Sequence, residues 1–273
     1  MEVELAGDKI SSTLDNEGPP RLAILVPVFN EAKHVGKCLQ HLFVVSNDWH
    51  WRSEIIVVDD GSTDGTDVVL REFISADSPA RILLATHKVN QGKGAAIRTG
   101  LALATANRIV IQDADLEYDP KDLQVLMARM TAGECEVVYG SRCLIGSRNP
   151  RRCNAFAWGV SLLNLLVWIL YRVRLTDEAT CYKLFRTEDL RRMELECKRF
   201  EFCPEATAKA CRLGLRIVEV PISYRPRNHR EGKKIKLSDG WHAIQTLWQY
   251  RTWKSSEQRE ANNSITEGAA CTR

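Results

Sequence analysis

The sequence lacks three features that would each point to a class of protein: a large net charge, a cysteine framework and a long hydrophobic run. Its 38 Lys and Arg residues face 35 Asp and Glu residues, and the net charge of +3 does not by itself indicate nucleic-acid binding. The nine cysteines form no CxxC pair, which argues against a structural zinc site and a secreted disulfide scaffold. The uncharged, mostly apolar segment at residues 155–171 is shorter than the roughly 20 residues that a membrane-spanning helix needs, so we predict a packed or interfacial helix.

Targeting signals and the common phosphate-binding motifs are also missing. The first 20 residues carry neither a basic n-region nor an apolar h-region, so no signal peptide is indicated and we expect a cytoplasmic protein. The spacings GxxxxGK[ST] and GxGxxG do not occur, which excludes a P-loop and the usual dinucleotide fingerprint.

What the sequence does contain is an alternation of strand and helix patterns. Short apolar runs at residues 22–29 and 54–60 enclose a segment at 31–43 whose apolar residues follow helical spacing. This alternation predicts an α/β, Rossmann-like fold with a mostly parallel sheet and helices on both faces. The remaining predicted elements are helices at 66–76, from 93, at 119–132, 204–212 and 238–253, strands at 81–86, 108–112, 135–140 and 216–224, and a loop containing 180–185.

Two carboxylates, Asp113 and Asp115, follow the strand predicted at residues 108–112. At the carboxyl end of a parallel strand, both can reach a hard divalent ion that also binds a diphosphate, so Mg²⁺ or Mn²⁺ is predicted here. The alternative is that these two residues only cap a helix or form a turn.

Three other loops are predicted at the same edge of the sheet. Asp59 and Asp60 end the second apolar run, and one of them is expected to accept a hydrogen bond from a nucleobase, although a turn explains part of this loop. Phe29, at the end of the first run, would either stack on that base or belong to the core. Lys93 opens a helix whose backbone N–H groups could approach phosphates.

Five motifs together carry a resemblance to a known family. VPVFNE, VVDDGSTDGT, NQGKGAAIRTG, QDADLEYDP and YGSR stand in the order and spacing of the family 2 glycosyltransferases, which the sequence resembles over residues 21–250. Its polyprenyl-phosphate branch, typified by dolichol-phosphate mannosyltransferase, is the most similar. The resemblance implies a GT-A fold, and the spacing of apolar residues in the C-terminal segment adds amphipathic helices to it. The resemblance further implies metal-dependent, inverting transfer from a nucleotide sugar, GDP-mannose first, to a polyprenyl phosphate.

The resemblance also implies roles for individual residues. Donor contacts are implied for Pro27, Phe29, Glu31, Asp60, Lys93 and Asp113. Metal ligation is implied for Asp113, Asp115 and Glu117, although the mannosyltransferase branch often has Gln at the third position. Asp115 and Arg142 are implied to be catalytic, and the acceptor phosphate is implied to bind Arg142, Arg151, Arg152 and Lys233.

The predicted domain organisation follows from these assignments. Residues 1–20 form a disordered lead and 255–273 a flexible tail, because both are polar. One family 2 glycosyltransferase domain occupies residues 21–254. It is divided into a nucleotide-sugar half at 21–118, an acceptor half at 119–230, and a basic loop with an amphipathic helix at 231–254.

The chemistry of the acceptor distinguishes the possible functions of the chain. A prenyl phosphate is already an anion and needs cations, which the basic residues between 142 and 152 supply. A saccharide hydroxyl, taken with a UDP-sugar donor, would need a general base, for which Asp177, Glu178 and Glu205 are candidates. A catalytically silent binding subunit is the third alternative, and the two DxD carboxylates argue against it. No feature indicates an oligomeric state.

The last predicted helix bears on membrane contact. Trp241, Ile244, Leu247 and Trp248 fall on one helical face, and lysines at 233, 234 and 236 precede it. This pattern indicates either an interfacial anchor at the inner face of a membrane or a helix packed on the core. Both alternatives stay open at this point.

Overall fold

The computed structural model describes residues 3–6, 22–75, 81–133, 135–144, 155–227 and 237–260. Its strands are β1 (Val3–Ala6), β2 (Leu22–Val28), β3 (Ser53–Asp59), β4 (Arg81–His87), β5 (Arg108–Ile111), β6 (Val137–Ser141), β7 (Lys183–Arg186) and β8 (Ile217–Pro221). Its α-helices are α1 (Val35–Asn47), α2 (Thr66–Ser75), α3 (Lys93–Leu103), α4 (Leu123–Thr131), α5 (Ala155–Tyr171), α6 (Thr187–Arg192), α7 (Phe202–Arg212) and α8 (Leu237–Gln249). Short 3₁₀ helices lie at Pro120–Asp122 and Tyr250–Thr252.

The described strands form one sheet in the order β1-β4-β3-β2-β5-β7-β6-β8. Strands β4, β3, β2 and β5 are parallel, as the uninterrupted apolar runs predict. Alternate residues of β2 belong to two different core clusters: Leu25 packs with Ile97 of α3, and Ile24 packs with Leu39 of α1. Helices therefore cover both faces of the sheet, and the predicted fold is confirmed.

One predicted loop is a strand. Lys183–Arg186, whose first three residues belong to the loop predicted at 180–185, forms β7, which pairs antiparallel with both β5 and β6. The prediction is wrong because a buried lysine breaks the apolar pattern of this strand. The Nζ atom of Lys183 lies 3.5 Å from the ring centroid of Tyr139 and donates a 2.7 Å hydrogen bond to the carbonyl of Glu178, so the charge is accommodated inside the protein.

The two chain ends contain more regular structure than predicted. Val3–Ala6 pairs antiparallel with β4, so the prediction of a disordered lead is wrong for these four residues. Residues 256–260 are helical, and the backbone N–H of Arg259 donates to the carbonyl of Ser255, so the first residues of the predicted flexible tail are also ordered.

Helices α5 and α8 pack against each other beside the sheet, and the α5 bounds agree with the predicted helix. Val167 of α5 and Leu247 of α8 are fully buried, and the hydroxyl of Tyr171 donates to the carbonyl of Leu247. The predicted common face of α8 is wrong. Leu247 turns toward the core, whereas Trp241 and Trp248, seven residues apart, lie on the solvent side. Among the described residues, no helix combines the length and apolar character that a membrane crossing requires.

Candidate active site

The loops after β2 and β3 are held together by side-chain to backbone hydrogen bonds. The backbone N–H of Asn30 donates to Oγ of Ser62 at 2.9 Å, and the N–H of Thr63 donates to Oδ1 of Asn30 at 2.8 Å. Asn30 has a φ of 51°, a left-handed conformation that asparagine tolerates better than most residues. This bracing places the half-buried ring of Phe29 and the carboxylate of Glu31 beside the β3 loop, at the carboxyl edge of the sheet.

The predicted nucleobase aspartate, Asp60, is buried and organises the next loop. Its carboxylate accepts the backbone N–H groups of Gln91 and Gly92 at 2.9 and 2.7 Å, and it lies 2.7 Å from Nδ1 of His87. A carboxylate has about four lone-pair sites, so these contacts still allow it to accept from a ligand. Base recognition by Asp60 stays a prediction.

The first turn of α3 does not form the predicted phosphate cradle. The backbone N–H of Gly94 donates to the carbonyl of Arg199, and that of Ala95 donates to the carbonyl of Lys198. A Cβ atom at Gly92 would lie 2.2 Å from the same Lys198 oxygen, so glycine is required for this close approach. These amides stabilise the contact with residues 198–199 and are not directed at a ligand.

Lys93 contributes to the site through its side chain. Its Nζ lies 2.5 Å from Oδ1 of Asp113 and donates to Sγ of Cys181 at 3.3 Å. Burial, the largest single influence, would raise the pKa of Asp113, but the charge and hydrogen bond of Lys93 act together with the charge of Arg227 and other donors to lower it. Asp113 is therefore an ionised carboxylate with a cation beside it, at the end of β5.

Asp115 faces a second cation, Arg227, which the sequence analysis did not identify. One Nη of Arg227 lies 3.0 Å from Asp115, the other lies 3.3 Å from Glu31, and Nε lies 3.7 Å from Glu117. Burial, followed by the charges of Asp113 and Glu117, raises the pKa of Asp115 to about 7. The guanidinium thus joins carboxylates that repel one another. Arg227 follows β8 by six residues, and a basic residue shortly after a predicted strand was the only signal for it.

The carboxylates suit a divalent ion in chemical type, but two cationic side chains hold them in the described structure. No three His, Cys, Asp or Glu side chains among the described residues are grouped to hold a metal. Asp113 and Asp115 nevertheless repel each other, and a cation bound between them would reduce this repulsion. Their donor atoms are all oxygens, which favours Mg²⁺ or Mn²⁺. The two aspartates can therefore bind the predicted ion if Lys93 and Arg227 move away, or if the ion and these two side chains contact the same carboxylates.

Glu117, the third predicted ligand, is engaged by protein donors. One carboxylate oxygen accepts the hydroxyl of Tyr224, and the other accepts the backbone N–H of Arg227 at 2.8 Å. In this arrangement Glu117 anchors the segment that carries Arg227. Its role as a metal ligand stays a prediction.

Arg142, predicted to face the acceptor phosphate, is buried in an ion pair. Its Nε and one Nη donate to the two oxygens of Asp177, each at 2.7 Å, and its backbone N–H donates to the same carboxylate. Its guanidinium carbon also lies 4.9 Å from the ring centroid of Tyr224. Arg142 therefore joins the strand β6 to the loop before β7, and phosphate binding by it stays a prediction. The other predicted phosphate residues, Arg151, Arg152 and Lys233, lie outside the described residues.

The three candidates for a general base are all inaccessible. Asp177 is fully buried and paired with Arg142, and Glu178 is fully buried as well. Glu205 accepts the backbone N–H groups of residues 196 and 197 and lies 2.7 Å from Nζ of Lys209. None of these three carboxylates can reach an acceptor hydroxyl in the described structure.

Comparison of the sequence with known proteins identifies the family of the chain. The sequence profile of Glycosyl transferase family 2 matches residues 23–193. The chain is 27% identical over 228 residues to a dodecaprenyl-phosphate galacturonate synthase of Rhizobium johnstonii, covering 83% of this chain and 65% of that protein. It is 25% identical over 250 residues to the low-salt glycan biosynthesis hexosyltransferase Agl6 of Haloferax volcanii, covering 90% of this chain and 57% of that protein. The chain thus spans less than two thirds of the length of either relative.

Solved structures agree on the fold. A glucosyl-3-phosphoglycerate synthase of Mycobacterium tuberculosis, in complex with phosphoglyceric acid, superposes with a TM-score of 0.62 at 20% identity, covering 87% of this chain and 82% of that one. Structures of that enzyme include complexes with Mn²⁺ and uridine diphosphate. The mixed, mostly parallel sheet with helices on both faces is therefore of the GT-A type, and the resemblance read from the five motifs is confirmed: the chain belongs to glycosyl transferase family 2.

Proposed function

We propose that the chain transfers a sugar, with inversion, from a nucleoside diphosphate sugar to a polyprenyl phosphate in the presence of Mg²⁺ or Mn²⁺. The observation that carries the proposal is the pairing of Asp113 and Asp115 with Lys93 and Arg227 at the carboxyl edge of the sheet, in a family 2 chain. Carboxylates with adjacent cations suit a diphosphate and a divalent ion together.

Each charged group then has a task in the transfer. Asp113 and Asp115 would hold the ion, which neutralises the charge that develops on the leaving diphosphate. Lys93 and Arg227 are close enough to the aspartates to bind the same phosphates once these pairs open. The acceptor oxygen attacks the anomeric carbon from the face opposite the diphosphate, which inverts that centre without a covalent enzyme intermediate.

The buried carboxylates favour a phosphate acceptor over a hydroxyl. A hydroxyl acceptor needs a base within hydrogen-bond reach, and Asp177, Glu178 and Glu205 do not provide one. A phosphate oxygen is already ionised near neutral pH and attacks without a base. The name of the Rhizobium relative, a dodecaprenyl-phosphate galacturonate synthase, supports the same acceptor class.

A direct transfer assay tests this proposal. Radiolabelled GDP-mannose, UDP-glucose and UDP-N-acetylglucosamine are each incubated with the protein, Mn²⁺ and dodecaprenyl phosphate in detergent. A labelled lipid that is sensitive to EDTA is the expected product, with GDP-mannose as the first candidate donor. The UDP-sugars belong in the panel because the fold neighbour from M. tuberculosis binds uridine diphosphate. Transfer to a soluble saccharide but never to the lipid would contradict the acceptor, and no transfer from any donor would favour a silent binding subunit.

A lipid acceptor also requires contact with a membrane surface, and we assign this contact to the outer sides of α5 and α8. Trp158 is 80% exposed, Trp241 61% and Trp248 57%. Exposed Leu162, Leu165, Trp168 and Ile169 of α5 extend the same apolar surface. The guanidinium of Arg251 lies 4.3 Å from the ring centroid of Trp248 and that of Arg172 lies 6.0 Å from the ring centroid of Trp168, so cations accompany the tryptophans. Tryptophans with flanking cations are typical of proteins that bind peripherally to a cytoplasmic membrane face.

Sedimentation with liposomes tests this surface. The protein should sediment with phosphatidylserine-containing vesicles at low salt and be released as salt screens the arginines. The double variant Trp241→Ser, Trp248→Ser should sediment less, since its mutated side chains are exposed and the core contacts of Leu247 are kept. The matched control is Val44→Ser on α1, an exposed apolar residue on another helix. Equal sedimentation of the double variant and the control would contradict the assignment.

A further inference from the structure

A cavity of about 460 Å³ borders the amino end of β5, away from the candidate active site. Arg108 begins β5, Arg186 ends β7 and Arg191 belongs to α6, and all three residues line this cavity. Asp113 of the candidate active site follows the opposite end of β5. The cavity is therefore separate from the residues assigned to the donor and the metal.

Two of these arginines lie directly opposite each other in the sheet. Arg108 and Arg186 are cross-strand partners in the antiparallel pairing of β5 with β7. The side chains of such partners share one face of the sheet, and two like charges in this position destabilise the pairing. Arg191 brings a third positive charge to the same cavity. An anion bound among the three side chains would reduce their repulsion.

The contacts of Arg186 and Arg191 within the protein are compatible with a bound anion. Nη of Arg186 lies 4.0 Å from Oε1 of Glu136, which is longer than a hydrogen bond. One Nη of Arg191 donates to the carbonyl of Ala104 at 2.7 Å, and a guanidinium has five N–H donors. Both arginines are exposed. Among the described residues that line the cavity, three are arginines and Glu188 is the single carboxylate, so positive charge is in excess.

A second cavity, of about 210 Å³, continues the first, because Arg108 and Thr131 line both. The half-buried ring of Trp51 and the buried side chain of Met127 form part of its wall. Trp51 stacks on Trp49 with their ring centroids 5.3 Å apart, which restricts the orientation of the ring. Concave sites of roughly 300–1,000 Å³ are typical of small-molecule ligands. The two cavities together therefore suit a ligand with one anionic and one apolar part.

We propose that this groove binds a small phosphate monoester with an aromatic group. The phosphate contacts Arg186 and Arg191, because the planar guanidinium can donate two parallel hydrogen bonds to two phosphate oxygens. The aromatic group packs on the ring of Trp51. The site does not depend on the donor, the metal or the acceptor of the proposed transfer.

Calorimetric titrations of phenyl phosphate and inorganic phosphate test the proposal, in low-salt buffer that contains EDTA. EDTA removes divalent ions and so prevents metal-dependent binding at the aspartates. Phenyl phosphate should bind about threefold more tightly than inorganic phosphate, which has no ring to place on Trp51. The double variant Arg186→Gln, Arg191→Gln should bind phenyl phosphate about tenfold more weakly. The matched control is Lys37→Gln, Arg71→Gln, which removes two charges from exposed residues of α1 and α2 and should keep the original affinity.

Two single variants locate the two parts of the ligand. Trp51→Leu should lower the affinity for phenyl phosphate to that for inorganic phosphate, and thermal unfolding checks that each variant is folded. Arg227→Met, which removes a cation of the candidate active site, should leave both affinities unchanged. No saturable binding of either compound would overturn the proposal, and so would binding that is lost in Arg227→Met but kept in the double variant. Equal affinities of the original protein for the two compounds would overturn the role of Trp51.

Discussion

Replacement of Arg227 by methionine should strengthen Mn²⁺ binding and weaken the fold at the same time. The guanidinium of Arg227 lies within 3.0 to 3.7 Å of three carboxylates, two of which are predicted metal ligands. Any divalent ion that binds Asp115 must therefore compete with this side chain. Methionine keeps most of the aliphatic volume and removes the charge.

The magnitude follows from the distances. At an effective dielectric constant of about 20, opposite unit charges 3 Å apart attract by roughly 5 kcal/mol. The cost of removing partly buried charges from water cancels most of this attraction, and about 1.5 kcal/mol remains as a net effect. The variant should therefore bind Mn²⁺ about tenfold more tightly, and its free energy of unfolding should fall by about 1.5 kcal/mol.

The pH dependence gives the prediction a second check. The pKa of Asp115 is raised to about 7, so below pH 7 a proton occupies this carboxylate and Mn²⁺ must displace it. When folding raises the pKa of a carboxyl group, the free energy of unfolding falls as the pH increases from the ordinary pKa of that group to its raised pKa, here about 7. Without Arg227 the carboxylates repel one another more, so the loss of stability in the variant should be larger at pH 8.5 than at pH 6.

Isothermal titration of MnCl₂ without nucleotide, together with thermal unfolding at both pH values, measures these changes. Arg225→Met is the matched control, because it removes the same charge from an exposed residue of the same segment. If Arg227→Met binds Mn²⁺ no better than the control, Arg227 does not occupy the position of the ion and the reasoning fails.

Three further predictions concern single residues of the site. Asp115→Asn should abolish metal-dependent transfer and, because it ends the 3.0 Å ion pair with Arg227, should lower the free energy of unfolding by no more than about 1.5 kcal/mol; activity that survives both this change and EDTA would refute the metal role. Phe29→Ala should weaken nucleotide binding by about 1 kcal/mol through lost stacking on the base, as measured by calorimetry. Unchanged affinity would show that Phe29 is a core residue and does not stack on the base. Arg142→Ala should lower the free energy of unfolding by about 3 kcal/mol because it leaves Asp177 buried and unpaired, and a loss under 1 kcal/mol would show that the pair is dispensable.

The donor half of the fold was predictable because its signals are local. Each parallel strand is an apolar run, and the predicted site carboxylates come within a few residues of the ends of these strands, as Asp113 does after β5. Since parallel strands end at one edge of a sheet, sequence order alone brought Phe29, Asp60 and Asp113 to the same edge.

The rest depended on contacts between residues far apart in the chain. Arg227 reaches Asp115 across 112 residues, and nothing in the local pattern around either residue indicates the other. Arg142 was assigned to the acceptor phosphate by the resemblance to the family and by the basic residues that follow it, whereas the partner that buries it, Asp177, lies 35 residues later. β7 was missed because the environment that accepts Lys183 is built by other strands and helices.

The position of β7 also has a consequence for synthesis of the chain on the ribosome. Strands β2 to β5 can pair as soon as each has emerged, but among the described strands β6 pairs only with β7 and β8, both of which follow it. From Ser141 to Lys183 the ribosome adds about 42 residues, which takes roughly 2–8 s at translation rates of about 5–20 residues per second. During that interval β5 and β6 both present open, apolar edges to other nascent chains. Yield in heterologous expression should therefore depend on elongation speed between these two strands and on chaperones that shield unpaired edges.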